Sequence, residues 1–168
     1  MIPQIKRILC ATDLSKNASY AFFYAVEMAK RHNAEIVILH SVERIRHMFG
    51  QRVEEILQQT KDHELKTDIK EIKKGLQEFC KKTEAQIGAP CVKLVSKILV
   101  PLGHPVEEIL KAADDEGCDV IVLGTHGKGF LRQTFLGSVA GSVLERTRKP
   151  VFIIPLPSEK TNIDWDKI

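Results

Sequence analysis

Short, continuous runs of apolar residues recur along the chain and alternate with segments of helical spacing. Five of these runs predict strands, at Ile5–Ala11, Ala34–Val42, Cys91–Pro101, Val120–Leu123 and Val151–Pro155. The first, second and fourth have continuous apolar cores, which is typical of strands buried on both faces of a parallel sheet. The first half of the third run alternates between apolar and polar residues, which favours a position at the edge of the sheet.

The segments between these runs have apolar residues three and four positions apart, the spacing of amphipathic helices. Ser15 is the predicted N-cap of the first helix, which is expected to end near Asn33 in the left-handed conformation. Pro105 predicts the first turn of a later helix, because its missing N–H costs nothing there. Ser138 is the predicted N-cap of the last helix.

The longest helical pattern runs from Gln51 to Ile87. Its polar stretch Gln58–Glu64 leaves open whether the segment forms one helix or two. Gly75 lowers the helix propensity by about 1 kcal/mol relative to alanine, and it predicts either a bend or a close contact.

Strands and helices alternate five times, which predicts an α/β protein with a parallel sheet and helices on both faces. Right-handed crossovers then favour a doubly wound sheet. At 168 residues the chain suits a single domain, residues 1–168. The polar segment Leu156–Ile168 is expected to be a C-terminal tail, which either docks through Trp165 or stays mobile.

Composition places the chain among globular proteins, with 43% hydrophobic and 28% charged residues. The net charge is +3, and the basic residues are interleaved with acidic ones. No block of basic residues predicts a nucleic-acid partner. No apolar stretch approaches the roughly 18 residues of a membrane span, and no signal peptide is recognised, so we expect neither a membrane partner nor secretion.

The four cysteines, at Cys10, Cys80, Cys91 and Cys118, form no C-x-x-C pair. Together with the missing signal peptide, this predicts a cytoplasmic protein with reduced thiols. Cys10 and Cys118 are expected to be small core residues. For Cys80 and Cys91 a redox pair across a loop remains an alternative, although nothing nearby identifies it.

The stretch Val120–Val143 contains a buried strand, a loop with four glycines and the start of a helix. Glycines let the backbone approach a ligand closely, and the N–H groups and dipole of a helix N-terminus attract anions. The order of these parts therefore favours a phosphate site. The alternative is a surface loop with glycines at its turns.

The spacing of Gly124, Gly127, Gly137 and Ser138 resembles the ATP-binding signature of the universal stress protein family. The flanking strands agree, and the resemblance extends from Ile5 to Pro155. It implies an adenine nucleotide alpha hydrolase-like fold with strand order 3-2-1-4-5. In that order the loops after strands 1 and 4 flank the point where the winding reverses, where ligands bind.

The resemblance also implies which residues bind the nucleotide. They are Ala11, Thr12, Asp13, Ser41, Val42, Leu123, Gly124, His126, Gly127, Gly137, Ser138 and Val139. The Asp13 carboxylate would bind the ribose hydroxyls or help to hold Mg²⁺ or Mn²⁺, and the alternative is a helix-capping aspartate. Many relatives have valine in place of Ser41. This departure matters little if backbone groups make the contacts with adenine, but it would weaken apolar packing against the base.

Three hypotheses for the function follow. The first is an adenine-nucleotide-binding regulatory protein of the stress response that binds ATP, or ADP or AMP. The second is a slow Mg²⁺-dependent ATPase at the same site. No paired carboxylate or nucleophile accompanies His126, so no catalytic residue is assigned. The third is an interaction protein with a vestigial site.

An apolar strand at the predicted edge of the sheet, Val151–Ile154, would be exposed unless another chain covers it. Related proteins form dimers through this strand. We therefore expect a homodimer.

Overall fold

The computed structural model describes residues 1–43, 51–125 and 136–155, and the side chains of these residues except those of residues 51–65. Its elements are β1 (Arg7–Ala11), α1 (Lys16–His32), β2 (Glu35–Leu39), α2 (Gln51–Ile87), α3 (Cys91–Leu94), β3 (Val95–Leu99), α4 (Pro105–Asp115), β4 (Val120–Gly124), α5 (Ser138–Arg146) and β5 (Val151–Ile154). Among the described residues, no helix combines the length and apolar content needed to cross a bilayer. The predicted tail at residues 156–168 lies outside the described residues.

The five strands form one parallel sheet in the order β3-β2-β1-β4-β5. The predicted fold class and strand order are therefore confirmed. β1 lies at the centre, where Leu9 pairs with Val37 of β2 on one side and with Ile121 of β4 on the other.

Helices cover both faces of the sheet, which explains the continuous apolar runs. Ile8 and Cys10 of β1 pack in one cluster with α1, α3 and the second half of α2. Leu9 and Ala11 point the other way and pack with α4 and α5. Because successive side chains of a strand alternate between faces, a central strand needs apolar residues at every position.

The third predicted strand begins later than expected. Residues Cys91–Leu94 form the short helix α3, and only Val95–Leu99 form the edge strand β3. The Cys91 side chain is fully buried against α1 and α2, and the Glu84 carboxylate accepts a hydrogen bond from the Val92 N–H at 2.8 Å. These contacts with α2 favour a helical turn over the extended chain that the alternating pattern predicted.

α2 is a single helix, and the polar stretch Gln58–Glu64 does not interrupt it. The lysine, glutamate and glutamine residues in that stretch are good helix formers, so a polar stretch of this composition does not interrupt the helix. The close contact predicted as one role of Gly75 is wrong, because a Cβ atom added at Gly75 would meet nothing within 4 Å.

The ends of α1 agree with the prediction. The Ser15 hydroxyl accepts a hydrogen bond from the Ala18 N–H at 3.2 Å, and Asn33 ends the helix in the left-handed conformation with φ 53°. Pro105 occupies the first turn of α4, also as predicted.

All four cysteines are buried free thiols. Burial raises the pKa of Cys10 to about 12 and the pKa values of Cys80 and Cys118 to about 11. A thiol with so high a pKa is a poor nucleophile at neutral pH, which supports the role of Cys10 and Cys118 as core residues. Cys80 and Cys91 lie in the same buried cluster as free thiols, and a redox pair between them stays a prediction.

The Asp119 carboxylate joins the start of β4 to the start of β1. Its Oδ2 atom accepts hydrogen bonds from the backbone N–H groups of Lys6 at 2.7 Å and Arg7 at 2.9 Å. We expect Asp119→Ala to lower the free energy of unfolding by about 1–3 kcal/mol, because two donors lose a charged acceptor. Urea denaturation measures this change.

Asp115→Ala is the matched control, since Asp115 is an exposed aspartate at the end of the neighbouring helix. It should change the free energy by less than about 0.5 kcal/mol. Equal effects of the two substitutions would contradict the role given to Asp119.

Candidate functional site

The carboxyl ends of β1 and β4 lie side by side at the centre of the sheet. The chain leaves β1 toward α1 on one face, whereas it leaves β4 toward α5 on the opposite face. The two loops therefore diverge and leave a crevice between them, as at the switch point of other doubly wound sheets.

The loop after β1 is held in one conformation by its own side chains. The Asp13 Oδ1 atom accepts a hydrogen bond from the Ser15 N–H at 3.1 Å, and the Thr12 hydroxyl accepts one from the Leu14 N–H at 3.1 Å. Leu14 adopts a left-handed conformation with φ 66°, which costs a non-glycine residue about 1–2 kcal/mol. Asp13 therefore stabilises the turn before α1, whose N-cap is Ser15, and its carboxylate is half-buried at the end of β1.

His40 ties this loop to the end of β2. Its Nδ1 atom lies 2.8 Å from the Thr12 carbonyl oxygen. Because a carbonyl only accepts, Nδ1 carries the proton and donates it. The Thr12 N–H also donates to the Leu39 carbonyl at 2.9 Å. His40 falls near the end of the predicted strand Ala34–Val42, but the sequence gave no signal for this contact, which is made to backbone.

Ser41 and Val42 follow His40 and contact the loop after β3. The Ser41 hydroxyl donates to the Gly103 carbonyl at 2.5 Å. The Val42 N–H donates to the Pro101 carbonyl at 2.9 Å, and the Val42 carbonyl accepts from the Gly103 N–H at 3.0 Å. These bonds use the donor of the Ser41 hydroxyl and the N–H of Val42, so the Ser41 and Val42 oxygens can act toward a ligand only as acceptors.

The loop after β4 has both of its ends fixed. The Thr125 N–H donates to the Ile154 carbonyl at 2.9 Å, and the Gly137 N–H donates to the Thr125 carbonyl at 2.7 Å. Gly137 and Ser138 are thereby brought to the end of β4. His126 and Gly127 lie outside the described residues.

Three other predicted site residues, Leu123, Gly124 and Ala11, lie where β4 and β1 end. Leu123 and Ala11 are buried in the core with α4 and α5, so their side chains belong to the core and only their backbone borders the crevice.

The N-cap of α5 is Gly137, and the prediction of Ser138 at this position is wrong. The Gly137 carbonyl accepts the first helical hydrogen bond, from the Gly141 N–H at 2.9 Å, so Ser138 is already the first helical residue. In the described part of the chain no side chain caps this helix, and its first turn contains no acidic residue. The N–H groups of Ser138 and Val139 belong to the first turn, which has no partners within the helix.

The crevice therefore combines a carboxylate at one end with the positive end of a helix dipole at the other. A carboxylate suits hydroxyl donors, and a helix N-terminus suits an anion. Within the described residues, no group of three or more His, Cys, Asp or Glu side chains is arranged to hold a metal ion. The crevice, with a carboxylate and a helix N-terminus, suits a ligand that has both hydroxyl groups and phosphate.

Sequence comparison relates the chain to archaeal and bacterial proteins. It is 32% identical to universal stress protein MJ0577 of Methanocaldococcus jannaschii, over 89% of this chain and 94% of the relative. A universal stress protein of Thermus aquaticus is 30% identical, over 89% of this chain and 98% of that protein.

Comparison with solved structures gives a similar result. The structure of MJ0577 matches with a TM-score of 0.72 and 26% identity, over 94% of this chain and 100% of that one. A universal stress protein in complex with cAMP matches over 92% of this chain and 100% of that one, with a TM-score of 0.56 and 20% identity. One from Archaeoglobus fulgidus in complex with dAMP matches over 92% of this chain and 99% of that one, with a TM-score of 0.53 and 22% identity.

The model of the universal stress protein family matches residues 4–155, which is nearly the whole described chain. The sheet order agrees with that of the similar solved structures. The chain belongs to the universal stress protein family.

Proposed function

We propose that this protein binds an adenine nucleotide, with ATP as the first candidate, in the crevice between β1 and β4. The observation that carries the proposal is the start of α5, where Gly137 is the N-cap and no side chain among the described residues caps the first turn. A glycine at the N-cap costs the helix only a few tenths of a kcal/mol relative to a capping side chain, and it leaves the N–H groups of the first turn accessible to an anion.

Each part of the nucleotide has a partner of suitable chemistry. The N–H groups of Ser138 and Val139, with the Ser138 hydroxyl, bind phosphate. The Asp13 carboxylate accepts hydrogen bonds from the ribose hydroxyls. The adenine packs beside Ser41 and Val42. His126 and Gly127 belong to the same proposed site by their positions in the sequence.

A divalent cation, Mg²⁺ or Mn²⁺, fits this site as a companion of the phosphates. Mg²⁺ is usually held by one or two carboxylates together with substrate phosphates and water. Asp13 is a single carboxylate, so it would supply one ligand and the nucleotide most of the others. The cation would neutralise phosphate charge.

The nucleotide acts as a regulatory ligand in this proposal, and the protein works in the cytoplasm as a module of the stress response. Two proteins of this fold were solved with cAMP and dAMP, and both ligands contain adenine and phosphate. A ligand shifts a conformational equilibrium only by its differential affinity for the states. The loops after β1 and β4, which hydrogen bonds hold at Thr12 and Thr125, are the elements whose conformation a bound nucleotide would shift.

Ser138→Ala should weaken ATP binding about tenfold in the presence of Mg²⁺. The reason is the loss of one hydroxyl donor to a charged phosphate, and a tenfold change corresponds to roughly 1.4 kcal/mol. Isothermal titration calorimetry on the full chain measures the dissociation constant.

Ser142→Ala is the matched control, because Ser142 lies one turn further along the same helix and away from its N-terminus. This control should bind ATP like the unmodified protein. If both variants bind equally well, the phosphates are not held at the start of α5.

We also propose that the protein is a homodimer joined through β5. This edge strand exposes Phe152, whose side chain packs beside Tyr24 of α1 with ring centroids 6.4 Å apart. Tyr20 extends the aromatic surface, in edge contact with Tyr24 at 5.2 Å. A second copy that pairs along the same edge would satisfy the free backbone groups of β5 and cover these rings.

Phe152→Glu should convert the dimer to a monomer at micromolar concentration, since it puts two like charges near the two-fold axis and removes apolar contact. Sedimentation equilibrium measures the mass. Leu144→Glu is the control, because Leu144 is equally exposed but lies on α5, away from the strand edge. A monomeric unmodified protein, or a dimer that survives Phe152→Glu, would contradict this interface.

A further inference from the structure

A cavity of about 240 Å³ lies between α1, α2 and the sheet, on the opposite face from α5. The residues that form most of its wall are Phe22, Ile38, Ile72, Gly75, Leu76 and Phe79. It is distinct from the crevice between β1 and β4, although Thr12 and Leu14 of the loop after β1 also border it.

Gly75 of α2 borders the cavity without contributing a side chain to its wall. Ile72, Leu76 and Phe79 are spaced along the face of α2 that packs on the core, and Gly75 lies among them. A Cβ atom at Gly75 would meet nothing within 4 Å. Glycine in a helix costs about 1 kcal/mol relative to alanine, so this exposed position lowers the stability of the helix.

The wall offers a ligand almost no polar partner. None of the lining side chains in the described part of the chain is charged. The Ser19 hydroxyl donates to the Ser15 carbonyl at 3.3 Å, and the Thr12 hydroxyl accepts from the Leu14 N–H at 3.1 Å. Cys10 also borders the cavity, and burial raises its pKa to about 12, so its thiol is neutral. A suitable ligand is therefore neutral and apolar.

The size of the cavity limits the ligand further. An engineered cavity of about 150 Å³ with a wall of leucine, isoleucine and phenylalanine stays dry and binds benzene. The cavity here is larger by more than half. It suits a single aromatic ring with a short alkyl chain.

Leu14 forms part of the wall at the mouth. Its side chain is 44% exposed while it borders the cavity, and its backbone is in the left-handed conformation. Exposed apolar atoms at the rim of an apolar cavity gain contact when a ligand enters, because the ligand replaces water beside them.

We propose that the cavity between α1 and α2 is a second binding site, for a small neutral molecule that consists of an aromatic ring with a short alkyl chain. The site goes beyond the proposed nucleotide function and does not depend on it. Burial of the ligand's apolar surface supplies the affinity.

Methyl-resolved NMR on the full chain, with n-butylbenzene as the probe, tests this site. Titration should shift the methyl signals of Ile38, Ile72 and Leu76, which line the cavity, and leave that of exposed Leu144 unchanged. Gly75→Leu should fill the cavity, weaken the binding of the probe at least tenfold and raise the melting temperature. Gly75→Met fills the same space with a more adaptable side chain and should give the same result.

Gly75→Ala is the matched control, since it restores helix propensity but adds only one methyl group. It should raise the melting temperature while it keeps most of the affinity for n-butylbenzene. The proposal is overturned if the unmodified protein shows no saturable shifts of the cavity methyl signals. It is equally overturned if folded Gly75→Leu and Gly75→Met proteins bind the probe as tightly as the Gly75→Ala protein.

Discussion

The winding of the sheet reverses between β1 and β4, and the rest of the structure depends on this reversal. β1 pairs with β2 on one side and β4 on the other, and both of its faces are buried. Because right-handed connections lead from these two adjacent parallel strands to opposite faces of the sheet, the loops after β1 and β4 run away from each other. The crevice is therefore a consequence of the topology, and the loop residues decide only what it can hold.

Hydrogen bonding at the carboxyl edge of the sheet makes the walls of the crevice rigid. Thr12 is tied to both Leu39 and His40, and Val42 is tied to the loop after β3. Thr125 joins the end of β4 to Ile154 on one side and to Gly137 on the other. Because nearly all of these groups already have partners, the uncapped first turn of α5 is the part of the described edge best able to bind an anion.

Sequence pattern was enough to predict the central strands, whereas the sheet order was implied by the resemblance to the universal stress protein family. Continuous apolar runs identify β1, β2 and β4, since only strands buried on both faces require them. The predicted start of β3 was wrong. Contacts of Cys91 and Val92 with α2 decide the conformation there, and the alternation of apolar and polar residues does not indicate such contacts. Ser138 was assigned as N-cap from its residue type, whereas the backbone makes Gly137 the cap. Residue spacing does not encode packing in three dimensions. It therefore did not predict the hydrogen bond from His40 to Thr12 or the open space beside Gly75.

The most direct test of the nucleotide site is mass spectrometry of the small molecules released when freshly purified protein is denatured with acid. Binding in the crevice predicts an adenine nucleotide in near-stoichiometric amount, and protein stripped of it should take up added ATP with Mg²⁺. Protein that releases no nucleotide, and that also fails to bind added ATP with Mg²⁺, would contradict the assignment of the crevice as a nucleotide site.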